Sequence, residues 1–220
     1  MKLSEFHPNR FVAPRPVTRM MQQRFVHYFP PKGTVLDIGC GEGVFLDLLR
    51  ESGRTGIGVE HTKEFVQQCR ANGHTVFEQD VFRFLRSRKN RFDGIFASHL
   101  IEHFETRDGL HLLQLAYDAL RERGVLIIVT PTFRDILVSG ERFWLDISHV
   151  RPYPLPLLHE LFTHLGLEIV DEGYEPSTKA WRQFRRLRSY LYYVLAKLRF
   201  GRYYDVGDTF IVGRKIVGDR

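Results

Sequence analysis

A run of apolar residues that stops at three closely spaced glycines constrains this 220-residue chain more than any other feature. The run from Gly33 to Ile38 leads into Gly39-Cys40-Gly41-Glu42-Gly43, and helical spacing begins at once with Val44-Phe45-Leu46. Strand, tight loop and helix in that order form the opening unit of a nucleotide-binding α/β fold. The glycines are spaced G-x-G-x-G behind an aspartate, not in the G-x-G-x-x-G of dinucleotide sites. The charge around the loop decides more than the spacing. A pyrophosphate is held by backbone N–H groups at a helix N-terminus, with no carboxylates facing it. Here Asp37 and Glu42 flank the loop, which suits a ligand carrying positive charge.

The chain then repeats the strand–helix alternation. Thr55–Glu60 reads as a second strand ending in an acid. In Rossmann-like units an acid about 20 positions after the loop hydrogen-bonds the ribose hydroxyls, and Glu60 occupies that place. Short apolar runs follow at 75–77, 92–98 and 124–130, the last closed by Pro131. Residues 108–121 carry the strongest helical spacing, with Asp108 placed as the cap and Gly124 near the stop. A helix at 155–165 and strands at 167–174 and 208–213 complete the pattern. The expected architecture is a doubly wound, Rossmann-like α/β sheet, mostly parallel with an antiparallel edge strand and helices on both faces. Residues 1–32 form an N-terminal arm with helical spacing over 17–28, and 33–220 form the ligand-binding domain.

The stretch from Val35 to Gly43 closely resembles the first motif of class I S-adenosylmethionine-dependent methyltransferases, and the resemblance covers nearly the whole chain. It implies S-adenosylmethionine as cofactor, an arm over the cofactor site, and 167–174 with 208–213 as an antiparallel pair at the sheet edge. The implied cofactor set begins with Asp37, Gly39, Cys40, Gly41 and Gly43 around the loop. Glu60 and His61 follow at the ribose. Asp80 is placed at the adenine amino group, Val81 beside the ring, and Ser98 beside the methionine part.

Two groups carry the candidate chemistry. Ser98-His99-Leu100-Ile101-Glu102-His103 follows the fourth strand, where open α/β sheets bind their ligands. On a helix, positions 99, 102 and 103 share one face. His99, Glu102, His103 and His149 then make an alternative metal site, similar to the metal group of ubiquinone-pathway O-methyltransferases and of small-RNA 2′-O-methyltransferases. Histidine at the first position, where those families have glutamate, shifts the preference from magnesium toward zinc or another nitrogen-tolerant metal. Without metal, His99 is a catalytic candidate and His103 a substrate contact.

The second group, Asp146-Ile147-Ser148-His149-Val150-Arg151-Pro152-Tyr153, resembles a stretch of methyltransferases of surface-polysaccharide biosynthesis. Methylating a sugar hydroxyl calls for a base near the attacking oxygen, and a histidine oriented by a carboxylate suits the role. His149 with Asp146 is the expected pair. Arg151 is expected on a substrate phosphate or carboxylate, with Tyr153 beside it. The resulting expectation is an enzyme, an O-methyltransferase acting on a sugar or sugar-phosphate hydroxyl. A metal-assisted RNA 2′-O-methyltransferase, a quinone-type O-methyltransferase and a non-catalytic cofactor-binding scaffold are the alternatives.

Composition bounds the setting. No apolar run approaches the roughly 20 residues that span a bilayer, and the first residues lack an apolar signal region. Two cysteines support neither a disulfide framework nor a zinc cluster, so a cytoplasmic location is expected. The glycan-type substrate is what the resemblance implies, while the net charge of +6 favours anionic partners (phosphate-bearing substrates, nucleic acid or a membrane surface), and much of it lies in 179–202, which holds no acid. Within this basic insertion, about 178–203, residues 181–198 have the spacing of an amphipathic helix for an anionic membrane surface, expected at the inner face of the membrane. The alternatives are a helix packed on its own domain or partner, and a nucleic-acid contact.

Overall fold

The computed structural model describes residues 14–132, 141–174 and 208–217. The basic stretch at 178–203 and the start of the N-terminal arm lie outside the described residues. Seven strands form one sheet: β1 (Thr34–Ile38), β2 (Thr55–Glu60), β3 (Thr75–Glu78), β4 (Phe92–Ser98), β5 (Leu120–Pro131), β6 (Leu167–Tyr174) and β7 (Asp208–Lys215). Their order is β3-β2-β1-β4-β5-β7-β6. The first five are parallel, and β7 runs antiparallel to both β5 and β6. The order reverses between β1 and β4, so a crevice opens at the carboxyl ends of those strands, where such sheets bind ligands.

The central strands are buried on both faces, as their continuous apolar runs require. Two apolar layers sandwich the sheet. One gathers Phe25, Phe29, Phe45, Phe96 and Phe210, with the Phe45 and Phe96 rings stacked 3.8 Å apart. The other gathers Ile95, Leu112, Ala116, Ile128 and Phe162. The described part of the N-terminal arm contains α1 (Arg15–Gln22) and a 3-10 turn (Gln23–Tyr28) whose Phe25 is 1% exposed. The remaining helices are α2 (Val44–Glu51), α3 (Lys63–Ala71), α4 (Val81–Arg86), α5 (Thr106–Ala119), α6 (Glu141–Trp144) and α7 (Leu155–His164).

α5 differs from the spacing-based expectation at both ends. Glu105, not Asp108, is the last extended residue before it, and Gly109 N donates to the Glu105 carbonyl. Asp108 sits in the first turn, where its charge complements the helix dipole. The far end stops at Ala119 because Leu120 turns extended and enters β5 directly, well before Gly124.

Candidate functional site

The glycine loop joins β1 to α2 at the crevice. Gly39, Gly41 and Gly43 have φ of 71°, 49° and 75°, the left-handed region that glycine adopts without strain. At Gly43 a side chain is excluded twice over, because a Cβ there would lie 2.8 Å from Cys69 Sγ. The loop is stitched to the end of β2. Gly39 N and Cys40 N donate to the Val59 carbonyl at 2.9 and 3.3 Å, and Gly41 N donates to Glu60 Oε2 at 3.0 Å. Glu60 Oε1 accepts from His61 N and Thr62 N, both at 2.8 Å. The Glu60 carboxylate is thus pinned between the loop and α3; Oε1 is taken up by two backbone donors, and Oε2, with one, keeps a lone pair for a ligand hydroxyl.

Asp37 stands beneath this loop, 3% exposed, and no donor reaches its carboxylate among the described residues. Burial, then the nearby Cys69 and Glu60, push its pKa well above the ordinary value. A buried acid without a donor is costly, and a cation arriving beside it relieves that cost. Cys40 and Cys69 are both buried free thiols lining the same layer. Asp80 is exposed at the N-cap of α4, with Oδ1 accepting from Arg83 N at 2.9 Å, and Val81 begins the helix half-buried. The His61 ring points outward, 84% exposed, with Nδ1 3.1 Å from Glu60 Oε1. Ser98 closes β4, half-buried on the floor of the crevice.

Across the crevice the structure rearranges the expected histidine cluster. His99, Glu102 and His103 do not share a helix face. Only Ile101–His103 turns, as a short 3-10 helix, and His99 precedes it with φ of 53° and its N–H on the Val129 carbonyl. His99 consequently swings toward β7, where Nε2 donates to Asp208 Oδ2 at 3.1 Å, while Nδ1 lies 3.5 Å from Glu102 Oε1. Burial opposes charge on this ring, but Asp208 and Glu102 outweigh it and hold the pKa well above the ordinary histidine value. A carboxylate facing each nitrogen favours the protonated ring. Nearly half its side-chain surface, 45%, still opens to the crevice.

Glu102 is fully buried. Thr130 Oγ1 donates to Oε2 at 2.9 Å, and Oε1 has no hydrogen-bond partner among the described residues. His149 Nε2 lies 3.9 Å from that Oε1 and 3.9 Å from Asp146 Oδ2. The expected orienting bond from Asp146 is therefore not formed. Instead, His149 donates through Nδ1 to the Phe143 carbonyl at 2.7 Å, which leaves Nε2 with the free lone pair. Asp146 is occupied by Ser148, whose N and Oγ donate to Oδ1 at 2.9 and 2.5 Å. Burial would raise the Asp146 pKa, but the two bonds from Ser148 hold it below the ordinary value.

His103 lies against His149, ring centroids 4.8 Å apart, with Nδ1 3.0 Å from Ser148 Oγ. One ligand atom each from Glu102, His103 and His149 fall within 4.8 Å of one another. One carboxylate oxygen and two imidazoles suit zinc or a similar borderline metal, and the unpartnered Glu102 Oε1 is an oxygen such an ion would satisfy. His99 is outside this group because Asp208 has taken it.

Two expected substrate contacts point elsewhere. Tyr153 is 1% exposed in the core, with its hydroxyl against the bare backbone of Gly109, where a Cβ would come within 2.1 Å. The extended Pro152-Tyr153-Pro154 segment drives the ring inward beneath α5. Arg151 lies over the Tyr153 ring at 4.9 Å, and its Nη1 donates to Thr106 Oγ1 at 2.7 Å.

Asp208, Thr130 and Ser148 escape sequence reasoning. Asp208 had one usable signal. An antiparallel strand begins at the edge where its parallel neighbours end, so the first residue of β7 meets Pro131 at the crevice.

Comparison with known proteins adds the family. A family model described as a methyltransferase domain matches residues 13–172. A protein of Mycolicibacterium smegmatis named "probable S-adenosylmethionine-dependent methyltransferase" is 28% identical over 153 residues, which are 69% of this chain and 58% of that protein. A ubiquinone biosynthesis O-methyltransferase of Actinobacillus pleuropneumoniae is 27% identical over 106 residues, 44% of each chain. The matches span about half the length of these curated relatives. The crystal structure of a SAM-dependent methyltransferase from Archaeoglobus fulgidus superposes with a TM-score of 0.75 at 25% identity, covering 94% of this chain and 97% of its own.

Proposed function

The chain belongs to the methyltransferase-domain family of class I S-adenosylmethionine-dependent enzymes, and from that premise we propose that it transfers the methyl group to a hydroxyl oxygen. One juxtaposition carries the reading. A buried carboxylate, Asp37, with no donor among the described residues, stands on one side of the crevice, and on the other stands an imidazole, His149, whose Nδ1 is taken by the Phe143 carbonyl and whose Nε2 faces the site. The first suits the cofactor's ammonium, and the second suits the proton of an acceptor hydroxyl.

S-adenosylmethionine, when bound, supplies an activated methyl group on its sulfonium. The chain's residues supply the rest. Asp37 accepts from the ammonium, Glu60 accepts from the ribose, and the glycine loop lets backbone approach closely. Asp80, with one oxygen spent on the cap, keeps the other for the adenine amino group. His149 takes the acceptor proton at Nε2, and the Phe143 carbonyl holds the ring in the tautomer that permits it. His99, held toward its charged form between Asp208 and Glu102, offsets two buried acids at the crevice floor. Holding donor and acceptor in line supplies a large part of the rate, since the methyl group is already activated.

The acceptor class is the finer part of the proposal. A sugar or sugar-phosphate hydroxyl is favoured by the resemblance of 146–153 to glycan methyltransferases. The named O-methyltransferase relative keeps a quinone-type phenol in view. A metal-assisted reading, including an RNA 2′-hydroxyl acceptor, is favoured by the unpartnered Glu102 Oε1 beside His103 and His149. There the chain would hold the ion through these three residues, and the ion would polarise the acceptor oxygen. A screen with methyl-labelled cofactor across sugars, sugar phosphates, quinone precursors and RNA separates these classes. Label found only on nitrogen or carbon would refute hydroxyl transfer.

A further inference from the structure

The segment before β1 enters the molecule on two kinds of attachment. Phe25 and Phe29, each 1% exposed, are driven into the core. α1, just before them, buries no residue fully. It lies against α2 and is tied there by ion pairs, Arg19 with Glu51 and Arg15 with Asp47.

Arg15 does something Arg19 does not. Its Nη1 donates to the Glu42 carbonyl at 2.9 Å and lies 3.6 Å from Glu42 Oε2. Its Nη2 donates to Asp47 in the first turn of α2. Asp47 cannot swing freely, because His74 Nε2 at 2.9 Å and Arg50 Nη2 at 2.7 Å hold its other oxygen. One planar guanidinium therefore spans the loop and the helix that follows it, a geometry a lysine ammonium cannot match. The sheet side holds Gly39 N, Cys40 N and Gly41 N, Cys69 Sγ of α3 donates to the Gly41 carbonyl at 3.2 Å, and Gly43 N turns back onto the Cys40 carbonyl at 2.8 Å. Glu42 sits between two glycines of positive φ, and Arg15 holds the carbonyl of a peptide whose N–H, on Gly43, closes the turn; flexible glycine backbone on either side has conformational freedom to lose when a ligand binds.

We propose that Arg15 is a positioning residue for the cofactor, holding the Glu42 peptide so that the glycine loop is ordered before the ligand arrives. The inference rests on this loop being the S-adenosylmethionine site. It predicts that cofactor affinity depends on a side chain of the N-terminal arm that need not touch the cofactor. It also predicts a salt-sensitive affinity, because Arg15 is partly exposed and its clasp is screened.

Calorimetric titration of the full chain with S-adenosylhomocysteine tests it. Arg15→Ala should weaken binding roughly tenfold, the lower end of what a charged hydrogen bond contributes. Arg15→Lys should fall between, reaching Asp47 or Glu42 but not both. Arg19→Ala loosens the same helix without touching the loop and should bind as the wild type does. High salt should weaken the wild type more than Arg15→Ala. Equal affinities for wild type and Arg15→Ala overturn the proposal, as does an Arg19→Ala loss matching that of Arg15→Ala. Should Arg15→Ala not fold, wild-type affinity in Arg15→Lys overturns it instead. A wild type that binds no S-adenosylhomocysteine removes the cofactor reading itself, which is a different failure.

Discussion

Replacing Asp37 with asparagine separates the cost of an unpaired acid from its use. The carboxylate is buried and has no donor among the described residues, and its pKa stands above the ordinary value of 3.8, burial being the largest cause, ahead of the nearby Cys69 and Glu60. The folded state then binds more protons than the unfolded state between those two values, and apo stability falls as pH rises through that window. Above it the penalty is fully present. Asp37→Asn removes the charge at constant shape, so the apo variant should melt higher than wild type at neutral pH and lose this pH dependence. Ligand binding should move the other way. Losing the ammonium–carboxylate bond costs about 1.5–3 kcal/mol, or roughly 10–150-fold in affinity. At 100 times the wild-type Kd, S-adenosylhomocysteine stabilises by about 2.7 kcal/mol, or about 5–10 °C for a domain of this size. A variant about 30-fold weaker keeps only about 0.9 kcal/mol at that concentration, or about 2–3 °C. Thermal melts with and without ligand across a pH series read all three effects. Wild-type affinity should tighten as pH rises through the raised Asp37 value and then level, while Asp37→Asn stays flat. A variant that melts lower without ligand yet gains the full ligand shift would refute the assignment of Asp37 as the cation's partner.

Other outcomes follow from the same geometry. His149→Ala should lower kcat by about 10²-fold or more while leaving S-adenosylhomocysteine affinity intact, as expected for a general base; full turnover on the accepted substrate would exclude it. Asp146→Asn should cost far less, because Phe143 and not Asp146 fixes the His149 tautomer; an equal loss would contradict that. On the metal-assisted reading, untagged protein stripped by chelator should lose turnover and regain it with zinc, and Glu102→Gln should weaken metal retention. Unchanged activity in chelator would end that reading. Gly94→Ala should destabilise by about 1–3 kcal/mol through overpacking, because its Cβ would lie 2.1 Å from Phe29 Cδ1. Differential scanning fluorimetry would show the loss, and an unchanged melt would mean the arm does not pack there.

What was legible in the amino-acid order was whatever depends on near neighbours. β2, β4 and β6 run over the spans read from composition and punctuation, and the loop at 39–43 turns where its glycines permit positive φ. Apolar periodicity and backbone sterics act over a few residues, so the order of elements and the place of the glycine loop follow from local pattern. The histidine cluster across the crevice obeyed a different rule. His99 leaves the expected helix face because β7, over a hundred residues later, brings Asp208 within 3.1 Å of its ring. Tyr153 leaves the crevice because Gly109 on α5 makes room for it in the core, and His149 takes its tautomer from the Phe143 carbonyl. Which partner a polar side chain finds depends on which strand lies beside it and on how much water remains. Desolvation and charge pairing are properties of the assembled sheet, and only the closed tertiary structure could distribute them.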